Sequence, residues 1–377
     1  MELYVALKVI WWALLGVLLL GLAVMVGMDM GVGAALHYFG RSDGERRAVI
    51  NMIAPHWDGN QVWFILGGGA VFAAWPTIYA TAFSGLYIVM LVLLWSMIVR
   101  PLGFEYRSKL ESPRWRSLWD WTLFVSGAVP MIVFGAAMGN MLQGVPFHFS
   151  WAMVSYYTGS FITLFNPFAV LCGLLALALA LYQGSAMVMN RGDGVVRERA
   201  RRLLTGAGLS ALALFTIGGF WVWFIGGYVI TGGAAPGGPA IPLNKTVAVH
   251  AGAWFNNYAA HPVLWLVPLL AYVAIAVGIA AARRGASLVA WWSGAGAWAG
   301  VLGTLGAAMF PFLMPSSSNP SQSLTVWDAS SSVGTLTWML VFTVIFIPII
   351  AVYTSWAFWV MRGTVTPEKV ENDEHAY

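Results

Sequence analysis

Asn51-Met-Ile-Ala-Pro-His56-Trp57-Asp58-Gly-Asn60-Gln61-Val-Trp63 gathers a histidine, a carboxylate and two amides at the mouth of an apolar segment. A second acid, Asp29, closes the apolar segment that precedes it. The surrounding chain has 377 residues, of which 59% are hydrophobic and 9% charged. Soluble domains carry roughly 25% charged residues, so this composition is that of an integral membrane protein. Its apolar runs are long enough for spanning helices and lack the alternation of a barrel strand. An ionisable side chain placed in the bilayer costs about 2.5–3.5 kcal/mol on insertion scales, which makes Asp29 and the 51–63 stretch the first places to look for function.

Along the whole chain, nine spans of about twenty residues fit the pattern, near 9–29, 57–74, 77–99, 118–140, 158–183, 204–229, 258–282, 289–311 and 335–360. Trp75-Pro76 reads as a tight turn between the second and third. Basic residues then set the orientation. Seventeen of the nineteen lie in loops after odd-numbered spans or in the tail, while Lys245 lies in the opposite set and Lys8 begins the first span. The positive-inside rule predicts an all-α polytopic protein of nine transmembrane helices, N-terminus periplasmic and C-terminus cytoplasmic, forming one integral membrane domain over 1–377. The first run lacks a basic leader and a small-residue cleavage site, so it is expected to stay in the mature protein. Trp11 and Trp12 are expected at the outer interface and Trp119, Trp121, Trp291, Trp292, Trp356 and Trp359 near inner ends, as interfacial belts. The Gly/Pro-rich stretch from Thr231 and the Ser/Asn/Pro-rich 315–323 read as outer loops. The single cysteine, Cys172, excludes an internal disulfide and reads as an inert buried thiol.

Topology places the acids. A helix entered near residue 9 has risen about 30 Å by residue 29, at about 1.5 Å per residue, and has crossed the hydrocarbon. Asp29 is thus at the cytoplasmic face, where Asp58 begins the returning helix and Glu105 comes after the third span. Three carboxylates and His56 share one level, from which protons can pass inward through Asn60, Gln61 or ordered water. A plainer reading stands beside it: Asp58 caps the second helix, Glu105 pairs with Arg107 or Lys109, and His56 is a structural hydrogen-bond partner. The six histidines are His37, His56, His148, His250, His261 and His375, and none falls in mid-span. A bis-His haem inside this chain is therefore not expected, and any redox metal would sit on another chain. No Cys-X-X-Cys-His, Walker or dinucleotide motif occurs, and nothing points to nucleic acid.

The chain resembles subunit II of the cytochrome bd-type quinol oxidases, including their cyanide-insensitive relatives, over almost its full length. The resemblance rests on Trp11-Trp12, Asp29-Met-Gly-Val-Gly33, Ala54-Pro-His-Trp-Asp-Gly-Asn-Gln-Val-Trp63, Phe72-Ala-Ala-Trp-Pro76, Arg100-Pro101 and Tyr106-Arg-Ser-Lys109. It continues through Trp119-Asp120-Trp121, Gly139-Asn140, Leu142-Gln-Gly-Val-Pro-Phe147, Met309-Phe-Pro-Phe, Met314-Pro-Ser-Ser317 and Leu324-Thr-Val-Trp-Asp328.

The resemblance implies a haem-free subunit in the bacterial inner membrane. Its partner would be a nine-helix subunit I carrying two b-type haems, a d-type haem (b-type in some relatives) and the periplasmic quinol site. A small single-helix accessory subunit, membrane lipid and ubiquinone, the last as a structural quinone, belong to the same expectation. The implied complex oxidises quinol, reduces dioxygen to water and generates proton-motive force without pumping. Position by position, Asp29, His56, Asp58 and Glu105 match a cytoplasmic proton route, and Trp63 the neighbourhood of an oxygen tunnel. Two departures bear on that route: Val26 stands where relatives have an acid, and Glu105 where they often have Asp. A proton-coupled transporter is the alternative class. It requires repeated halves and a midplane site, and the sequence shows neither.

Overall fold

The computed structural model describes residues 1–372 and 377. α1 (Glu2–Gly21) continues through a π-helical turn at Leu22–Val26 into α2 (Gly27–Ala34), a single span of 33 residues. After α3 (Leu36–Phe39) comes α4 (Asp43–Ile53), whose start is fixed by a capping box: Glu45 N–H donates to Ser42 Oγ and Ser42 N–H donates to Glu45 Oε2. Its apolar residues Val49, Ile50, Met52 and Ile53 are buried, so α4 carries the chain under the bundle to His56.

α5 (Trp57–Asn60) and α6 (Val62–Ala74) form the returning arm. At Trp75 the path bends by 117° into α7 (Pro76–Gly85), with proline at the first helical position where its missing N–H costs nothing. A second break at Leu86 leads to α8 (Tyr87–Tyr106). The remaining long helices are α9 (Pro113–Gln143), α10 (Pro167–Arg191) and α11 (Gly194–Val222). After the short α12 (Asn256–Ala260) come α13 (Leu266–Arg283), α14 (Ser287–Met309), α15 (Val333–Val360) and α16 (Pro367–Glu371).

Helices occupy all nine predicted intervals. Among the described residues, seven are long and apolar enough to cross a bilayer alone, and the bent pair raises this to at most eight. Three intervals need correction. The third splits at Leu86 between α7 and α8; the fifth begins at Pro167, because 158–166 is loop and 3-10 turn; and the sixth ends at Val222, because Gly226–Gly232 is a strand. Apolar loop residues had extended the periodic pattern past the helix ends.

Those loops are also more ordered than their composition suggested. β1 (Phe147–Phe149) pairs with β2 (Ser155–Tyr157), β3 (Gly226–Gly232) with β4 (Thr246–Ala251), and β5 (Phe312–Met314) with β6 (Leu324–Thr325), all antiparallel. Val145 N–H donates to Pro315 O at 2.9 Å and Ser317 N–H to Val145 O at 3.0 Å, stitching two hairpin loops into one cap at the end of the bundle opposite Asp29.

The core lies around α2, which is wedged between α9 and α10. A Cβ on Gly31 would collide with Ala180 O, and one on Gly127 would collide with Met30 O. Only glycine permits these backbone-to-backbone contacts, the usual way for helices to pack where burial in lipid offers no drive. Trp11, near the start of α1, faces a neighbouring helix and not the surface. It is 2% exposed, and its indole N–H donates to Leu336 O at 3.0 Å.

Candidate functional site

The deepest acid is Asp29. The π-helical turn ahead of α2 inserts an extra residue into one turn, and such turns recur at functional sites because they rotate the residues beyond them. Asp29 thereby faces α5 and α8. Its Oδ2 accepts from Asn60 Nδ2 at 2.8 Å and lies 3.9 Å from Arg100 Nη2. Both Asp29 and Arg100 are fully buried, at 1% and 2% exposure. Asp29 Oδ1 and both Arg100 Nη atoms have no hydrogen-bond partner among the described residues. Phe104 lies beneath the guanidinium, 5.8 Å from ring centre to carbon, and stacks on Trp57 at 5.2 Å. A cavity of about 10 Å³ opens here, lined by Asp29, Arg100 and the apolar side chains of Val32, Leu36, Ile50 and Phe104.

Asp58 is exposed in the first turn of α5, two residues after His56, which is the N-cap residue. It makes no side-chain capping bond, and neither does His56. His56 is buried; its Nε2 lies 3.3 Å from Arg191 Nη1, and its ring stacks on Phe358 at 4.1 Å and 3°. Arg191 has only donors, so Nε2 is the acceptor and the imidazole is neutral. Burial first, and the Arg191 charge second, push the His56 pKa down to about 4. Arg191 also donates to Met52 O at 2.8 Å and Gly363 O at 3.4 Å, while its carbonyl accepts from Val365 N–H at 2.8 Å. One arginine thus ties the segment after α15 to the ends of α4 and α10.

Glu105 is exposed in the last turn of α8. Its expected partner Arg107 is occupied elsewhere: Nε donates to Asp120 Oδ1 at 2.6 Å and Nη2 to Asp43 Oδ1 at 2.9 Å, while Arg46 meets Asp120 at 3.0 Å. Tyr377 takes the place beside Glu105 instead, its hydroxyl donating to the carboxylate. The phenol pKa is raised by burial, then by the charge of Glu105 and the hydrogen bond to it, and last by the charge of Asp58. Asn51 clamps this residue: Tyr377 N–H donates to Asn51 Oδ1 at 3.0 Å, and Asn51 Nδ2 donates to Tyr377 O at 3.0 Å. Trp63, half-buried on α6, lies so close against Gly21 that a Cβ there would collide with the indole.

The structure therefore groups the predicted residues into two sets. Asp29 and Asn60 form a buried inner set with Arg100; Asp58 and Glu105 form an exposed outer set with Tyr377. His56 is turned to Arg191. Among the described residues no hydrogen bond joins Asp29, His56, Asp58 and Glu105 directly. Sequence reasoning missed Arg100, Arg191 and Tyr377 as site residues. Arg100 carried a usable signal, a charge still inside an apolar run. Tyr377 carried none.

No group of three or more His, Cys, Asp or Glu among the described residues has metal-binding geometry. His37 lies against Trp121, His148 against Tyr156, and His250 sits in β4. His261 precedes a turn at the cap, and His375 lies outside the described residues. The described histidines thus lie on separate elements.

The family model for cytochrome bd terminal oxidase subunit II matches residues 7–361. The chain is 46% identical over 373 residues to the probable cytochrome oxidase subunit 2 of Haemophilus influenzae, with 99% of each chain covered. It is 46% identical over 374 residues to the cytochrome bd-I ubiquinol oxidase subunit 2 of Escherichia coli K12, again with 99% of each covered. The Bacillus subtilis cytochrome bd ubiquinol oxidase subunit 2 is 28% identical over 366 residues, covering 95% of this chain and 96% of that one. A chain of the bd oxidase from Geobacillus thermodenitrificans superposes with a TM-score of 0.68 over 94% of this chain and 99% of that chain. At 14% identity, this likeness speaks to the fold.

Proposed function

Because the chain belongs to the cytochrome bd terminal oxidase subunit II family and is a subunit of a membrane quinol oxidase, we propose that its own task is access. It stabilises a haem-bearing subunit I and leads protons, and past Trp63 dioxygen, toward that partner. Nine helices, a periplasmic N-terminus, a cytoplasmic C-terminus and residence in the bacterial inner membrane belong to this proposal. So do b- and d-type haems in the partner, ubiquinol as the donor and a small single-helix accessory subunit.

Each dioxygen reduced to two waters consumes four electrons and four protons, the electrons coming from two quinols. The haems of the partner supply the electron transfer, and this chain's contribution is the proton path. Asp58 and Glu105, both exposed and the latter hydrogen-bonded by Tyr377, collect protons; Asn60 and Asp29 lie further in. The observation that supports this reading best is Asp29: a buried carboxylate, hydrogen-bonded to one amide and facing an arginine it does not touch. His56 joins the route as the residue that orients α5, since neutral imidazole held by Arg191 is a poor proton carrier at cytoplasmic pH.

The test is Asp58→Asn in the intact oxidase, with haem content read from a reduced-minus-oxidised spectrum. Loss of a positioned acid costs about 10²-fold or more in rate. Turnover down at least tenfold with haem content unchanged supports the proposal; near-normal turnover reduces Asp58 to a structural residue.

A further inference from the structure

We propose that Asp29 and Arg100 are joined through one resident water seated between α2 and α8, and that they do not form a direct ion pair. The 3.9 Å between Asp29 Oδ2 and Arg100 Nη2 is too long for a hydrogen bond. It is short enough for a single water to touch both groups, and contacts beyond about 3.5 Å commonly prove water-mediated.

The donors and acceptors at the gap are buried, and among the described residues their atoms have no hydrogen-bond partner: Oδ1 on the acid, Nη1 and Nη2 on the arginine. Buried polar atoms are almost always satisfied by protein or ordered water. Here the neighbouring side chains, Val32, Leu36, Ile50 and Phe104 among them, offer only hydrocarbon and ring faces. The room available, about 10 Å³, is at the lower limit of what holds one water of ordinary size.

The backbones that carry the two groups are fixed in place. α2 is held by backbone contact at Gly31 and Gly127, and the end of α8 by Arg107 on Asp120 at 2.6 Å. The water accepts from Arg100 and donates to Asp29 Oδ1, while Asn60 serves Oδ2. This seat deepens the proton route proposed above and rests on it for its use. As the water takes up a proton from the route it gives one of its own to Oδ1, so it stays neutral and keeps accepting from Arg100; the reverse relay releases the proton.

A density map of the intact oxidase that resolves other internal waters tests the seat without any variant. One peak within about 2.6–3.2 Å of both the Asp29 carboxylate and the Arg100 guanidinium is the expected result. A direct contact between the two side chains, or a gap with no peak where neighbouring waters are clear, overturns the proposal. Asp29→Asn separates the seat from the route. A bridging peak in the native map with variant turnover within about twofold of normal keeps the water and removes its role in proton delivery. No peak, with turnover down at least about tenfold, keeps the route and removes the water.

Discussion

The two ends of the bundle both bury cations, but they treat them differently. At the hairpin cap, Lys8 is fully buried and directs its three donors to Trp327 O at 2.5 Å, Pro236 O at 3.1 Å and Gly238 O at 3.4 Å. Lys245 donates to Pro242 O at 2.9 Å and pairs with Asp328 at 2.7 Å. Trp11 and Trp75 complete that lock through Leu336 O and Ser330 Oγ. At the opposite end Arg100 faces Asp29 across 3.9 Å with neither Nη atom bonded among the described residues. A saturated cation holds loops rigidly, because every displacement breaks a bond that the interior does not replace. An under-coordinated pair in the same low dielectric has capacity to take on a proton or a water. On the proposed proton route, the contrast corresponds to stability at one end and traffic at the other.

Removing one half of the inner pair puts this contrast under the heaviest load. Arg100→Met leaves Asp29 buried without a counter-charge and is expected to cost about 3–5 kcal/mol of stability. The Asp29→Asn/Arg100→Met double variant is expected to regain most of it. Thermal melts of the purified complex across this cycle decide the matter, and a single variant as stable as the parent would show that the pair carries no charge.

His56 comes next. Its folded pKa of about 4 lies below its ordinary 6.5, so between these values the unfolded chain binds a proton that the folded chain refuses. Stability is complete above pH 6.5 and falls as the pH drops toward 4, by up to about 3 kcal/mol. Melting temperature recorded against pH should show this slope in the native complex and a flatter one in His56→Gln. Equal slopes would mean that burial and Arg191 do not hold His56 neutral in the folded protein.

The smallest effect is expected at the cap. Lys8→Met strands carbonyls that had a donor and should cost about 1–3 kcal/mol. Turnover per assembled complex should not change. A drop in turnover at unchanged assembly would mean that the cap also carries traffic.

The helical membrane-protein class was readable because hydropathy reports long apolar runs directly. The acids were readable too, since a carboxylate at the end of an apolar run is costly and stands out. The features that escaped are those made by tertiary contact. Arg100 and Arg191 counted as ordinary loop-side charges, and only the reach of Arg100 from α8 toward Asp29, and the docking of the post-α15 segment on Arg191, turns them into buried partners. Trp11 looked interfacial because position along a helix does not reveal which face meets a neighbour. Tyr377 reaches Glu105 and Asp58 from the far end of the sequence, where no local pattern points to them. The hairpins hid in glycine, proline and serine, which mark turns equally well whether or not strands flank them.

The contrast stands or falls on whether the inner acid carries protons while the cap does not. Proton uptake from the cytoplasmic side during a single turnover, in proteoliposomes of intact oxidase, tests it most directly when Asp29→Asn is set beside Lys8→Met. Uptake should slow about 10–10²-fold in Asp29→Asn at full haem content, with Lys8→Met at the native rate. Native-rate uptake in Asp29→Asn would contradict it.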